Sequence, residues 1–327
     1  MVYYSKTVDS MVLTKNYWLA LAAVIMGSLT AFAQPPDRLP RQAVRTVSIP
    51  IAIFTKQELK ENRLEEIVQA DRLIVKEANV EQEILSIRNV GESPMAIALL
   101  IQEDLAGNFN LQIRDIQDFI RRLPKGTRVM VAYSRAGSVE IRQRFTDDLE
   151  KAAKSLRIVV GSSTFGPRSP FDGVSDIMGR FEAVPTGRRA LLLFSDGIDT
   201  SQGANLASIS QSFELDQAIL KAQRRSVPVY SFYSPTAASE TGSSLFVLAG
   251  QGALAKLSEE TGGRSFYQGS VAPISYLPFF KELVLSLNRQ FLLTYLSTNM
   301  KKTYYKISVT STNPEVKVEH PKGYYYR

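Results

Sequence analysis

Cysteine is absent from the whole 327-residue chain and histidine occurs once, as His320. The first absence excludes a disulfide framework and lipid attachment at a cysteine, so a packed core must hold the protein together. The second leaves no histidine-based triad to expect, because His320 lies near the carboxyl terminus, far in sequence from every strand-end loop. The Gly-x-Ser-x-Gly elbow, the phosphate-binding Gly-x-x-x-x-Gly-Lys loop and the Gly-x-Gly-x-x-Gly fingerprint are missing as well. No apolar run beyond the first thirty-odd residues approaches the length needed to span a bilayer. A large excess of one charge is also lacking. The 39 basic and 32 acidic residues give a mixed surface, not a basic stripe, and nucleic acid is not an expected partner.

What the chain does have begins with a leader. Lys15 precedes an apolar run from Tyr17 to Leu29, and Ala31-Phe32-Ala33 follows with the small-x-small pattern that signal peptidase reads. Residues 1–33 are therefore expected to be a signal peptide cleaved before Gln34, with Met11 as an alternative start. The remainder is expected to be periplasmic or extracellular. Hydrophobic residues make up 44% of the chain, enough to bury one large domain or two modest ones.

Three regions follow. Residues 34–94 read as a β segment: Val47 to Phe54 is strand-like, and Arg72 to Arg88 reads as a hairpin turning at Asn79. Lys56 to Glu66 suits a short helix or a loop. From 95 to 288 strands alternate with amphipathic helices. Ala96 to Ile101 and Arg189 to Phe194 are continuous apolar runs of the kind buried in a parallel sheet, whereas Ser138 to Phe145 alternates like an edge strand. Ile113, Ile116, Ile120 and Leu123 recur at helical spacing before Pro124-Lys125-Gly126, and Asp147-x-x-Glu150 opens another helix as a capping box. Further helices are expected around Leu215 to Ala222, Leu254 to Glu260 and Phe280 to Leu287, with Ser234 to Gly252 as one long loop. This order implies an α/β, doubly wound, mostly parallel sheet. Residues 289–327 return to strands without crossover helices, and basic residues outnumber acidic ones there, as suits solvated edges. The expectation is a small β-sandwich made from both chain ends, with the α/β domain inserted between its halves.

The α/β segment resembles a von Willebrand factor A domain, and the mature chain is similar to the VWFA-related exported proteins of acidobacterial type. The resemblance rests on the strand and polar turn from Ala96 to Asn108, Pro124 to Val129, Leu191 to Gly197, and Glu260-Thr261-Gly262-Gly263-Arg264, together with the closing Gly323 to Tyr326. It implies a metal-ion-dependent adhesion site at the carboxyl ends of the strands, holding Mg²⁺ or a similar cation through oxygen ligands. Matched residue by residue, the family's Asp-x-Ser-x-Ser becomes Asp104-Leu105-Ala106-Gly107-Asn108. The carboxylate is kept, one hydroxyl is lost and the other is replaced by an amide. The family's loop threonine falls on Arg168, which would repel a cation, or on Ser169, which could supply an oxygen. Asp196-Gly197 matches cleanly. The implied ligand set of Asp104, Asn108, Ser169 and Asp196 is thus degenerate, with metal binding weak or lost. The alternative is that Asp104 and Asp196 cap turns and pair with Arg168. Both stay open at this point.

The functional expectation is a non-enzymatic, protein-binding module of adhesion or scaffold type, acting through loops around Asp104, Gly166 to Pro170 and Asp196 to Gln202. A carboxylate-based hydrolase on the same sheet and a self-associating envelope component are the competing readings. The acidic pairs Asp147-Asp148 and Glu259-Glu260 are adjacent in helical segments and point apart, so neither is an acid/base couple. The tyrosines at 304–305 and 324–326 are expected to pack, with alternate members facing outward.

Overall fold

Strong alternation at the two ends of the chain produces one sheet, and continuous apolar runs in the middle produce a second. A computed structural model describes residues 43–56, 73–89, 94–135, 138–161, 168–185, 187–203, 212–240 and 244–326. The expected leader, the stretch from 57 to 66 and part of the Gly166 to Pro170 loop lie outside these residues.

The terminal sheet contains β1 (Arg45–Thr55), β2 (Leu73–Glu77), β3 (Val80–Asn89), β10 (Gln290–Ser297), β11 (Tyr304–Ser311), β12 (Val316–Glu319) and β13 (Gly323–Tyr325). Its order is β12-β1-β10-β3-β2-β11-β13, with every neighbouring pair antiparallel. Strands from residues 45–89 therefore pair with strands from 290–325, across the whole intervening domain. The expected two-sheet sandwich needs correcting: the strands form one curled sheet. Val309 in β11 donates its amide to His320 Nε2, just past β12, at 3.2 Å, so the two ends of the strand order approach each other. Curling lets one sheet enclose its own core, made by Val47, Ile49, Ile51, Val75, Leu293 and Val309 among others. The hairpin expected at Asn79 is present. Ala78 and Asn79 both have positive φ, which a two-residue turn with right-handed twist requires.

His320 supplies a pH test of this closure. Its Nε2 accepts from Val309, so the ring must be neutral, with the proton on Nδ1 directed to the Pro321 carbonyl at 2.9 Å. Burial holds the imidazole below its ordinary value of 6.5, against the Pro321 hydrogen bond. A base whose folded-state value is depressed contributes stability fully present above 6.5 and lost as pH falls toward the folded value. The unfolding free energy from urea titrations, followed downward from pH 8, should decline once the pH is below 6.5, by at most about 1.4 kcal/mol per pH unit. His320→Gln should flatten that slope.

The inserted sheet runs β6-β5-β4-β7-β8-β9, built from β4 (Ala96–Gln102), β5 (Arg128–Arg135), β6 (Ser138–Thr146), β7 (Arg189–Ser195), β8 (Val229–Tyr233) and β9 (Ser265–Phe266). All are parallel except β6, an antiparallel edge whose burial alternates as the sequence predicts. Every residue of β4 and β7 is buried, because helices cover both faces. One face carries α1 (Ile113–Arg121), α2 (Leu149–Lys154) and α7 (Leu277–Asn288), packed on Ile97, Leu99, Ile101, Leu192 and Phe194. The other carries α3 (Pro170–Arg180), α4 (Phe213–Arg225) and α6 (Ser244–Thr261), packed on Ala96, Ala98, Leu100, Leu191 and Leu193. A short α5 (Ala237–Glu240) precedes α6. The sheet is thus doubly wound, and residues 44–327 make one compact unit.

Two local expectations need revision. Asp148, not Asp147, is the N-cap of α2 and accepts from the Lys151 amide at 2.9 Å. The stretch from Ser234 to Gly252 is not a long loop: from Ala237 onward α5 and the first half of α6 occupy its described residues. Glycines and small polar residues argued against a helix there, yet Gly250 lets α6 lie directly on the Asp196-Gly197 backbone. Among the described residues no helix is long and apolar enough to cross a membrane.

Candidate functional site

The strand order turns around between β4 and β7. From β4 the chain winds outward through β5 and β6, and from β7 in the opposite direction through β8 and β9. Adjacent loops at such a point leave in opposite directions and open a crevice beyond the carboxyl ends of the strands. Asp104 lies two residues past β4 and Asp196 one residue past β7, so both carboxylates stand at this crevice.

Arg168 joins them. Its Nη1 donates to Asp104 Oδ2, and its Nη2 donates to Asp196 Oδ2 at 2.6 Å. Every carboxylate oxygen is engaged. Asp104 Oδ1 accepts from Gln102 Nε2 at 2.9 Å. Asp196 Oδ1 accepts from the Ile198 amide at 3.1 Å, and its Oδ2 also accepts from the Thr236 hydroxyl at 3.1 Å. Gln102 is itself oriented, since its Oε1 accepts from Ser195 Oγ at 2.5 Å. Asp196 is fully buried and the Arg168 side chain is 7% exposed. Burial is the dominant influence and holds the Asp196 carboxyl above its ordinary value, against the opposing pull of the Arg168 guanidinium and the Ile198 amide.

The surrounding loops are fixed by packing and backbone bonds. Ala106 donates to the Pro235 carbonyl at 2.9 Å, tying the β4 loop to the β8 loop that carries Thr236. Phe109, on the 3₁₀ turn after Asp104, is buried edge-on against Phe194 and Tyr276. Gly197 adopts φ +70° against α6.

Of the remaining two candidate ligands, one is committed to another partner and the other is exposed. Ser169 is buried, but its hydroxyl donates to Asp199 Oδ2 at 2.9 Å and accepts from the Phe171 amide as the N-cap of α3. Asn108 sits on the 3₁₀ turn as an exposed residue. A hard divalent cation needs several oxygen ligands with free lone pairs. Each carboxylate oxygen at this crevice already accepts a hydrogen bond, and a permanent cation, Arg168, spans the two carboxylates. These residues do not fit a divalent ion. Among the described residues no group of three or more acidic, histidine or cysteine side chains could hold one either.

Three participants escaped the sequence reading: Gln102, Thr236 and Asp199. Gln102 ends an otherwise apolar strand, a polar residue at a strand's carboxyl end, and that was the available signal. Thr236 and Asp199 carried none, because only folding brings them beside Asp196 and Ser169.

Around this locked centre the rim is apolar and open. Leu111 is 77% exposed, Ile158 65%, Val160 70% and Ile274 92%. The segments that carry them are tied together by side-chain amides. Asn110 exchanges hydrogen bonds with Val159 at 3.1 and 2.8 Å, and Gln112 Nε2 donates to the Ile274 carbonyl at 2.7 Å. Two cavities among the described residues lie away from this centre. One of about 550 Å³ between α1 and α7 is lined by Met95, Phe119, Leu123 and Phe280. A second, of about 420 Å³, runs between α4, α6 and the exposed Tyr304 and Tyr325. Neither is lined by Asp104, Arg168 or Asp196.

No family model matches the chain, and no curated protein matches it. Among solved structures it is similar to an aerotolerance-related membrane protein from Bacteroides fragilis carrying multiple mutations to serines, at 13% identity and a TM-score of 0.40 over 59% of this chain and 98% of that one. It is similar to the VWA domain of SpRpn10 at 12% identity and a TM-score of 0.34, over 58% of this chain and 94% of that one. Proximal thread matrix protein 1 from the mussel byssus, whose structure has a zinc-occupied MIDAS motif, matches at 14% identity and a TM-score of 0.39, over 62% of this chain and 48% of that one. These likenesses are too loose to assign a family, an activity or a ligand, and what the chain can be said to do rests on its own residues.

Proposed function

We propose that this chain is an exported, non-enzymatic protein-binding module of von Willebrand factor A type, which presents the carboxyl-end rim of its doubly wound sheet to a protein partner. The observation that carries the reading is the pairing of a rigid, charge-locked centre with an exposed apolar rim at Leu111, Ile158, Val160 and Ile274. Large apolar side chains grouped on a surface mark interaction sites, and loops on a fixed scaffold are the usual place for them. The strand order, the position of the crevice and the Asp104 and Asp196 pair support the type. The hydrolase alternative loses support because both carboxylates are hydrogen-bonded to Arg168, whose fixed charge disfavours either one taking up a proton as a general base.

The test uses the mature chain as bait in cross-linking capture from the native envelope. Leu111→Glu with Val160→Glu should abolish recovery of the partner at unchanged thermal stability, since exposed substitutions cost little. Val284→Glu, on α7 at the far side of the domain, should leave recovery intact. Equal capture by all three proteins would overturn the assignment of the rim. Amino-terminal sequencing of the secreted product should begin at Gln34.

A further inference from the structure

We propose that Arg168 is a tethered cation: its guanidinium does the charge-neutralising work of a divalent ion, which makes the crevice metal-independent, and removing it converts the crevice into a divalent-cation site. The proposal concerns the same face as the function above, but its chemistry can be tested without any partner.

Two carboxylates at one crevice, one of them fully buried, repel each other, and without a cation between them one would normally be held protonated. Arg168 removes that conflict by giving one Nη to each. Its charge of +1 against two carboxylates leaves the cluster one charge short of neutral, where a divalent ion would have balanced it. The cluster therefore does not attract an acidic group from a partner, as an open metal position would. It also leaves no position for one, because the guanidinium is enclosed. The partner must be held by the apolar rim, and recognition should be indifferent to chelators.

The scaffold around Arg168 does not depend on Arg168 for its geometry. Gln102 is held by Ser195, and it fixes Asp104 through Oδ1. The Ile198 amide fixes Asp196 through Oδ1, and Thr236 is held in a network with Ser239 at 3.1 Å. If the guanidinium is cut back to a hydroxymethyl group, Asp104 Oδ2 and Asp196 Oδ2 still face one vacated volume. The Thr236 hydroxyl borders it. Two carboxylate oxygens and one hydroxyl, with water filling the rest of the space the guanidinium leaves, form a hard-ligand set suited to Mg²⁺ or Mn²⁺.

Thermal unfolding of the mature wild type and of Arg168→Ser is measured with about 10 mM MnCl₂ or with EDTA. The wild type is expected to melt at one temperature in both. Arg168→Ser should melt far lower in EDTA and recover by roughly 5 °C or more with Mn²⁺, because a ligand that binds the native state alone stabilises it. The double variant Arg168→Ser with Asp104→Asn should lose that response. If Arg168→Ser is recovered only from inclusion bodies, refolding from urea decides: soluble protein with Mn²⁺ but not with EDTA supports the proposal, and equal failure in both overturns it. A saturable Mn²⁺ shift in the wild type, or an Arg168→Ser variant as indifferent to Mn²⁺ as the wild type, overturns it too. These melts stand whether or not the rim captures a partner, so the two readings fail separately. If both hold, capture by the wild type is unchanged in EDTA.

Discussion

Glu77→Ala is expected to be among the most damaging single substitutions in the chain, costing about 3–5 kcal/mol, as is typical when one partner of a buried ion pair is removed. Glu77 is fully buried at the end of β2, inside the curled sheet. Its Oε1 accepts from Ser297 Oγ at 2.7 Å, Asn299 Nδ2 at 2.8 Å and Arg45 Nη2 at 3.3 Å. Its Oε2 accepts from the Tyr295 and Tyr324 hydroxyls at 2.8 and 3.3 Å. Burial and this carboxylate together push the Tyr295 hydroxyl far above the usual tyrosine range. The Arg45 guanidinium also lies over the Tyr324 and Tyr326 rings, 4.9 and 4.0 Å from their centroids. Removing the carboxylate leaves several donors buried without an acceptor, and each such group carries a penalty of about 1–3 kcal/mol unless water enters. Because β1, β2, β10 and β13 all meet here, chemical denaturation should show a lowered midpoint. Glu77→Gln, which keeps two acceptor lone pairs but sets an NH₂ among donors, should fall between alanine and wild type. A Glu77→Ala protein that melts with the wild type would mean that the hub contributes little.

Gly197→Ala is the second large effect. Gly197 has φ +70°, where an L-residue is strained by about 1–2 kcal/mol. An added Cβ would also overlap the Gly250 carbonyl oxygen and stand 2.7 Å from Leu254 Cγ. The first obstacle is helix backbone, which cannot rotate aside, and overpacking of this kind costs about 1–3 kcal/mol more. The sum of about 2–5 kcal/mol should appear as a lowered urea midpoint with an unchanged denaturant slope. Gly107→Ala is the control. Its Cβ would meet nothing within 4 Å, so its midpoint should match the wild type.

Much of this architecture is legible in the residues. Runs such as Ala96 to Ile101 and Arg189 to Phe194 have no polar face, and only a sheet covered on both sides can bury them. Alternation in Ser138 to Phe145 marks the edge strand, and the Asn79 turn sets the hairpin. The hub at Glu77 was legible in part: Leu73, Val75 and Glu77 share one phase of β2, so the inward face ends on a charge. What escaped were features made by distant backbone. The helix over Phe246 to Gly252 has little amphipathic period, because it lies against the Asp196 turn on one side and holds its place through glycine contacts. The two-sheet sandwich was a fair inference from two strand-rich ends, but alternation fixes which residues face inward, not whether the facing wall is a second sheet or the same one curled.

The crevice divides in the same way. The residue types alone determined that Asp104 and Asp196 follow apolar strands, that an alanine and an asparagine stand at 106 and 108 after the first of them, and that a basic residue stands at 168. Only the tertiary structure decided that Arg168 reaches both carboxylates at once while Ser169 turns to Asp199 and Asn108 remains exposed. The physical reason is that spacing along a chain constrains which strand end a side chain occupies, whereas a guanidinium bridge depends on the distance between two strand ends. That distance is set by the hydrogen-bond register of β4 with β7, which no local pattern encodes.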